Sequence, residues 1–152
     1  VKSTWNSKPR DSVVSVEFAG LEPFKRNLRT IIDLTKIDSI PVILMTQPYL
    51  TKATTTPEEL ERLEMLNFEA VGPEKRWALS TAMEGHRQYN EAIRHVAWET
   101  GAHLIDLESM VPKTLEYFVD DVHYTTLGYD LVGDSVAHYL HQSGVLEMAL
   151  RK

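Results

Sequence analysis

The 152-residue chain contains no cysteine. This absence excludes disulfide bonds and thiolate chemistry within the chain, and it leaves the cellular compartment open. No basic run stands out and the formal net charge is −6, which argues against a nucleic-acid or anionic-membrane surface. No apolar run approaches the length of a membrane span, and no signal-peptide pattern is visible. We therefore predict no nucleic-acid partner and no membrane span.

The overall composition is that of an ordinary globular protein. Hydrophobic residues make up 43% of the chain and charged residues 25%. A chain of this length can bury a substantial core, so we predict a single domain over residues 1–152. Residues 1–20 are predicted to be rich in loop, with a short strand at the alternating Val14, Val16 and Phe18. Residues 143–152 are predicted to form a short turn or a tail.

Hydrophobic periodicity divides the rest of the chain into helices and strands. The helical patterns cover residues 21–38, 57–66 and 74–100, and a last helix runs from a cap at Thr125 or Thr126 to about residue 141. Short apolar runs predict strands at residues 40–45 and 103–107. Gly101 is expected to end the long helix, and residues 108–117 are expected to form a loop with one helical turn.

The order of these elements indicates the fold class. Strands that are separated by helices imply right-handed parallel crossovers, and hence a three-layer α/β fold with a parallel sheet. Two or three strands are too few for such a sheet, because strands covered on both faces need neighbours. We therefore expect a sheet that is incomplete at its N-terminal side. The first residue, Val1, agrees with a trimmed terminus as well as with missing upstream chain.

The most informative motif is Asp120-Asp121-Val122-His123, which precedes the last helical pattern. An acid three residues before a histidine can turn back onto the imidazole and fix its tautomer, as a general base requires. Asp120 is the predicted partner of His123, whereas Asp121 is expected to point away or to cap the local turn. The alternative is an exposed histidine beside two solvated acids, since this spacing also occurs by chance.

A longer pattern surrounds this motif. Its segments are Phe24-Lys25-Arg26-Asn27-Leu28, the strand and turn at residues 40–48, Tyr89-Asn90, Leu104-Ile105-Asp106-Leu107 and residues 120–128. Over residues 21–142 the chain resembles the SGNH (GDSL-like) hydrolase family, and the last segment is the specific part of the resemblance. The resemblance implies a flavodoxin-like sheet. It also implies that His123 activates a nucleophilic serine and that Asp120 orients His123.

The nucleophile of such an enzyme is not evident in this sequence. The resemblance places the serine and the oxyanion donors upstream of Val1. Gly133-Asp134-Ser135 has the letters of the nucleophile motif, but it falls inside the last predicted helix, so Ser135 is predicted to be structural. Gly133 is better explained by close packing between helix and sheet. No glycine-flanked turn surrounds the remaining serines, among them Ser3, Ser12, Ser80 and Ser109.

Metal binding and other polar sites have weaker support. His138 and His141 stand three residues apart on a helix, but no third ligand is evident among His86, His95 and His103, so we predict no metal and no cofactor. Asp106 ends a predicted strand, and it is expected either to be functional or to stabilise a loop. Gln47 follows the other predicted strand and is expected to line a substrate cleft.

Aromatic and acidic side chains offer further alternatives. Tryptophans can bind sugar faces, and the chain has Trp5, Trp77 and Trp98. Trp98, on a helix, is expected instead to pack in the core or on the surface. The acidic run is predicted to be a solvated face; it comprises Glu58, Glu59, Glu61 and Glu64.

Together these observations predict a serine esterase of SGNH type that hydrolyses an O-acyl ester, such as an acetyl ester of a carbohydrate or a short lipid ester. Its expected partners are that small substrate and the missing N-terminal segment of the same domain. The chain alone is expected to be inactive, because the nucleophile and the oxyanion donors are absent together. The alternatives are a non-catalytic α/β module that binds a ligand or partner at the same cleft, and a fragment in which only part of a chain is present.

Overall fold

The computed structural model describes residues 11–13, 17–64, 66 and 75–150. Its helices are α1 (Leu21–Ile37), α2 (Pro57–Arg62), α3 (Leu79–Thr100), α4 (Leu107–Met110), α5 (Thr126–Ser143) and α6 (Val145–Leu150). Its strands are β1 (Asp11–Val13), β2 (Ile43–Met45), β3 (Lys75–Trp77) and β4 (His103–Ile105).

The strands form two separate parallel pairs, β1 with β3 and β2 with β4. In the second pair Ile43 lies opposite His103 and Met45 opposite Ile105. The predicted three-layer, flavodoxin-like α/β fold is wrong, because the described chain is mostly helical and neither sheet has more than two strands. Alternating strands and helices predicted the parallel direction correctly. They did not specify which strands pair, and this is decided by tertiary contacts.

Helices α1 and α3 pack with β2 and β4 around the first core cluster, whose buried members are Ile32, Leu44, Val96 and Ala97. The predicted first helix is confirmed over nearly its whole length. The long helix ends at Gly101 as predicted, because this residue adopts a left-handed conformation with φ 71°. Its start is displaced to Leu79, since residues 75–77 pair with β1 rather than continuing the helix.

The second core cluster lies under the segment that carries the predicted dyad. Its buried members come mostly from loops and are Leu50, Leu63, Val111 and Phe118. Leu131 and Val132 of α5 pack against them. The cluster therefore ties α5 to the chain that precedes it, and a regular sheet takes no part in this contact.

The short helix α2 corrects one part of the acidic-face prediction. Thr56 and Glu59 form a reciprocal capping box, in which the Glu59 carboxylate accepts from the Thr56 N–H at 2.8 Å. Glu59 is buried and also pairs with Lys52, so it is not part of a solvated face. Glu58, Glu61 and Glu64 are exposed, as predicted.

Candidate active site

A short hairpin presents the predicted dyad. Phe118 and Tyr124 form an antiparallel bridge, and the Val119 N–H donates to the His123 carbonyl oxygen at 2.9 Å. Phe118 is fully buried in the second core cluster, so the hairpin has a fixed base. The turn that carries residues 120–123 therefore projects from a packed support.

The turn brings Asp120 and His123 together as predicted. The Nδ1 atom of His123 lies 2.8 Å from Oδ2 and 3.0 Å from Oδ1 of Asp120. Oδ1 also accepts from the backbone N–H groups of Val122 at 3.0 Å and His123 at 2.9 Å. One carboxylate thus closes the turn and holds the ring, which leaves the tautomer with the proton on Nδ1 and a lone pair on Nε2.

The electrostatics of the turn favour a charged Asp120. Partial burial of the carboxyl opposes ionisation, but hydrogen bonds from the N–H groups of His123 and Val122, and from the His123 ring, outweigh it and lower the pKa of Asp120. The side chain of His123 is 69% exposed, whereas that of Asp120 is only 17% exposed. Such a pair has the arrangement of an orienting acid beneath an accessible base.

Asp121 has a separate role in the support of the site. It is buried, and its backbone carbonyl oxygen accepts from the Leu50 N–H at 2.8 Å. This bond joins the dyad turn to the loop that follows β2. Asp121 therefore supports the turn through its backbone, whereas Asp120 pairs with His123.

Helix α5 begins directly behind the dyad. Thr125 caps it by accepting from the Gly128 N–H at 3.2 Å, so Thr125 and not Thr126 is the cap. A Cβ at Gly128 would overlap the Tyr117 carbonyl oxygen and lie 2.9 Å from the Tyr124 Cβ. Glycine is thus required at this position by the close approach of the hairpin to the helix.

The loop after β2 is held by a contact that the sequence did not reveal. Asn90 of α3 accepts from the Gln47 N–H at 2.8 Å and donates to the Gln47 carbonyl oxygen at 2.9 Å. Asn90 is 1% exposed. Its buried side-chain amide makes the two hydrogen bonds with the Gln47 backbone that a neighbouring strand would otherwise make. The signal available in the sequence was a polar residue within the apolar stripe of the long helix.

Gln47 lines an apolar groove, and its amide lies 3.5 Å from the Tyr124 hydroxyl. Burial raises the pKa of Tyr124, so this hydroxyl keeps its proton at neutral pH.

Asp106, by contrast, stabilises a loop. Its carboxylate accepts from Arg94 at 2.7 and 3.1 Å and from the Thr46 hydroxyl at 2.8 Å. Arg94 also pairs with Glu108 at 2.7 Å. Burial opposes ionisation of both acids, but Arg94 and their other donors hold the pKa values of Asp106 and Glu108 below their usual range. The guanidinium of Arg94 and the carboxylates of Asp106 and Glu108 form ion pairs with one another, so we assign these side chains a structural role.

The serines with described hydroxyl contacts are turned toward the backbone. The Ser135 hydroxyl donates to the Leu131 carbonyl oxygen at 2.8 Å within α5, which supports its predicted structural role. The Ser109 hydroxyl donates to the Asp106 carbonyl oxygen at 2.7 Å. The prediction for Gly133 is wrong, since a Cβ there would meet nothing within 4 Å. Ser3 lies outside the described residues, as does Trp5.

The remaining histidines and tryptophans are dispersed. Within the described residues no three His, Asp or Glu side chains are grouped so as to hold a metal ion. His103 bonds the Tyr139 hydroxyl at 3.0 Å. Trp98 is 81% exposed and so is not a packing residue of the core, whereas Trp77 lines the same groove as Gln47.

Comparisons with known proteins add no identification. No model of a known protein family matches the chain, and no curated protein matches it. None of the described helices combines the length and the apolar character that crossing a membrane requires. The function is therefore inferred from the geometry of the dyad and its surroundings.

Proposed function

We propose that the Asp120–His123 dyad is the general-base half of an ester hydrolase of SGNH type. The observation that supports the proposal is the pairing of Nδ1 of an exposed histidine with both oxygens of a mostly buried carboxylate. This arrangement keeps a lone pair on Nε2 and directs it away from the supporting acid. The sequence pattern over residues 120–128 adds the resemblance to that family.

In the proposed reaction Nε2 of His123 accepts the proton of a serine hydroxyl while the serine oxygen attacks the ester carbonyl carbon. The carbon–oxygen bond to the leaving alcohol then breaks, and His123 returns the proton to the alcohol. Water, deprotonated by the same nitrogen, then attacks the acyl carbon. The bond to the serine oxygen breaks, His123 returns the proton to that oxygen, and the acid is released. Asp120 stabilises the imidazolium that forms in each step. The substrate is a small O-acyl ester, such as an acylated carbohydrate or a short lipid ester.

The nucleophile of this reaction is proposed to lie outside the described residues. Ser135 and Ser109 donate their hydroxyl protons to backbone carbonyl groups, and among the described contacts no serine hydroxyl bonds His123. Without that serine we expect the chain to be inactive toward ordinary esters, and we expect only an activated ester to be hydrolysed slowly, by the exposed imidazole alone.

The test compares hydrolysis of 4-nitrophenyl acetate by the purified chain and by matched variants. We expect His123→Ala to reduce the rate to the buffer background and Asp120→Asn to reduce it in part. His138→Ala is the control, because His138 is also an exposed histidine but has no carboxylate partner in the described contacts. A fluorophosphonate should leave Ser135 unlabelled. Equal rates for the wild type and His123→Ala would sink the proposal.

A second candidate function is a non-catalytic binding module. The groove lined by Gln47 and Trp77 favours it, because the groove is large and mainly apolar. This function predicts that neither His123→Ala nor Asp120→Asn changes ester hydrolysis, so the same assay separates the two candidates.

A further inference from the structure

Asn90 is a polar residue on the buried side of α3. Its side chain is almost fully buried, although nearby buried positions of the same helix, such as Val96 and Ala97, are apolar. Burial of an amide costs free energy unless its hydrogen bonds are made, and a fully bonded polar group fixes its neighbours in one arrangement. An apolar side chain would fill this space at a lower cost, so the amide indicates a requirement for position.

The group that Asn90 positions is the backbone of Gln47. The amide accepts from the Gln47 N–H at 2.8 Å and donates to the Gln47 carbonyl oxygen at 2.9 Å. Since β2 ends at Met45, these bonds hold the chain where it leaves the strand. Both backbone groups of one residue are held at once, so the direction of the following loop is fixed.

The loop at residues 47–50 transmits this position to the dyad turn. Proline at position 48 locks its own φ angle, and its carbonyl oxygen accepts from the Gln47 side chain at 2.9 Å. Tyr49 is buried, and its ring meets that of His86 edge to face at 4.5 Å between centroids. Leu50 is fully buried in the second core cluster. The loop is therefore packed along its whole length, and Leu50 is held in register with Gln47.

One peptide group connects Leu50 to the dyad. The Leu50 N–H donates to the Asp121 carbonyl oxygen at 2.8 Å, and the N–H of the same peptide group, that of Val122, donates to Oδ1 of Asp120 at 3.0 Å. In a planar trans peptide the C=O and N–H point in opposite directions. Holding the carbonyl therefore directs the N–H at the carboxylate that also bonds the His123 ring.

We propose that Asn90 is the positioning residue of the dyad: through Gln47 and the loop at residues 47–50, it orients the peptide group that holds Asp120 against His123. The name of general base for His123 rests on the proposed function, but the alignment does not. A base has to be held in one geometry, since a displacement of about 1 Å can cost roughly 100-fold in rate. If Asn90 only stabilised the core, its loss would lower stability and leave the Asp120 carboxylate unchanged.

The test measures the pKa of the Asp120 carboxyl by ¹³C NMR in the wild type and in Asn90→Leu. Burial raises this pKa, and the N–H groups of His123 and Val122 lower it. Loss of the aligned Val122 N–H should therefore raise the pKa of Asp120 toward its ordinary value. Hydrogen exchange of the Val122 amide should become faster by about tenfold, as expected for one lost hydrogen bond.

Val96→Ala is the matched control, because Val96 is fully buried in the same helix but belongs to the first core cluster. It should lower the urea midpoint and leave both readouts at their wild-type values. Asn90→Ser, whose hydroxyl is too short to hold both Gln47 groups, serves if Asn90→Leu does not fold, and the same direction of change is expected.

Unchanged readouts in a folded Asn90 variant would overturn the proposal, and so would equal changes in Val96→Ala. A measurement on the wild type is independent of how the variants fold: the scalar coupling across the hydrogen bond from the Leu50 nitrogen to the Asp121 carbonyl carbon should be present, and its absence would also overturn the proposal. The proposed function fails separately, when His123→Ala hydrolyses the aryl ester as fast as the wild type.

Discussion

Replacement of Asp120 separates the two tasks of its carboxylate. Asp120→Ala removes the acceptor of two backbone N–H groups and of the His123 ring together, whereas Asp120→Asn can keep Oδ1 for the backbone and loses only the ring acceptor. Hydrogen bonds to a charged group contribute roughly 1.5–3 kcal/mol and neutral ones roughly 0.5–1.5 kcal/mol. Because water replaces part of these bonds in an exposed turn, we expect Asp120→Ala to cost about 2 kcal/mol and Asp120→Asn about 1 kcal/mol of unfolding free energy.

The assays are urea unfolding for stability and ¹⁵N NMR of the ring for the tautomer. In the wild type the neutral ring is expected to carry its proton on Nδ1, facing the carboxylate. In Asp120→Asn the new amide donates to Nδ1, so the proton moves to Nε2 and the lone pair needed for base catalysis is lost. Asp134→Asn in α5 is the control for loss of one exposed acid, and it should change neither quantity.

The pH dependence follows from the direction of the pKa shift. The folded-state pKa of Asp120 is lowered from 3.8, so its stabilising effect is complete above that value and is lost as the pH falls through the folded-state pKa. The stability difference between wild type and Asp120→Asn should therefore shrink in acid. If Asp120→Ala unfolds at the same urea concentration as wild type at pH 7, and Asp120→Asn keeps the wild-type tautomer, the carboxylate does not hold the turn or the ring and the reasoning is refuted.

Two further predictions use other contacts. Gly128→Ala should cost about 2 kcal/mol or more of unfolding free energy, because its Cβ would overlap the Tyr117 carbonyl. Gly133→Ala in the same helix should gain up to about 1 kcal/mol, because a Cβ there meets nothing within 4 Å. Equal urea midpoints for the two variants would contradict this prediction. Arg94→Met should lower stability at pH 7 by about 2 kcal/mol, because it leaves the partly buried Asp106 without a cation and Glu108 with Lys113 alone. Since their folded-state pKa values are lowered, the loss should diminish as the pH falls below about 4, and a pH-independent loss would contradict the assignment.

Local signals in the sequence predicted the parts of the site that local contacts build. The two dyad residues are three positions apart, as are Thr125 and Gly128 at the cap, so both contacts follow from turn and capping rules. The clamp between Asn90 and Gln47 joins residues 43 positions apart, and periodicity does not report such a pair. The fold class failed for the same reason, since the pairing of β1 with β3 is a tertiary contact between segments whose local patterns did not agree with it.

The dyad turn and the apolar groove meet at the loop that follows β2. The dyad turn rests on the second core cluster through Phe118, whereas the groove is lined by side chains of α1, α3 and β2 and reaches Gln47 of the loop and Val122 of the dyad turn. The loop after β2 connects them, because the Leu50 N–H donates to Asp121 at 2.8 Å while Asn90 holds Gln47. The dyad turn and one wall of the groove are therefore held by the same loop, and a substitution that releases this loop is expected to affect both.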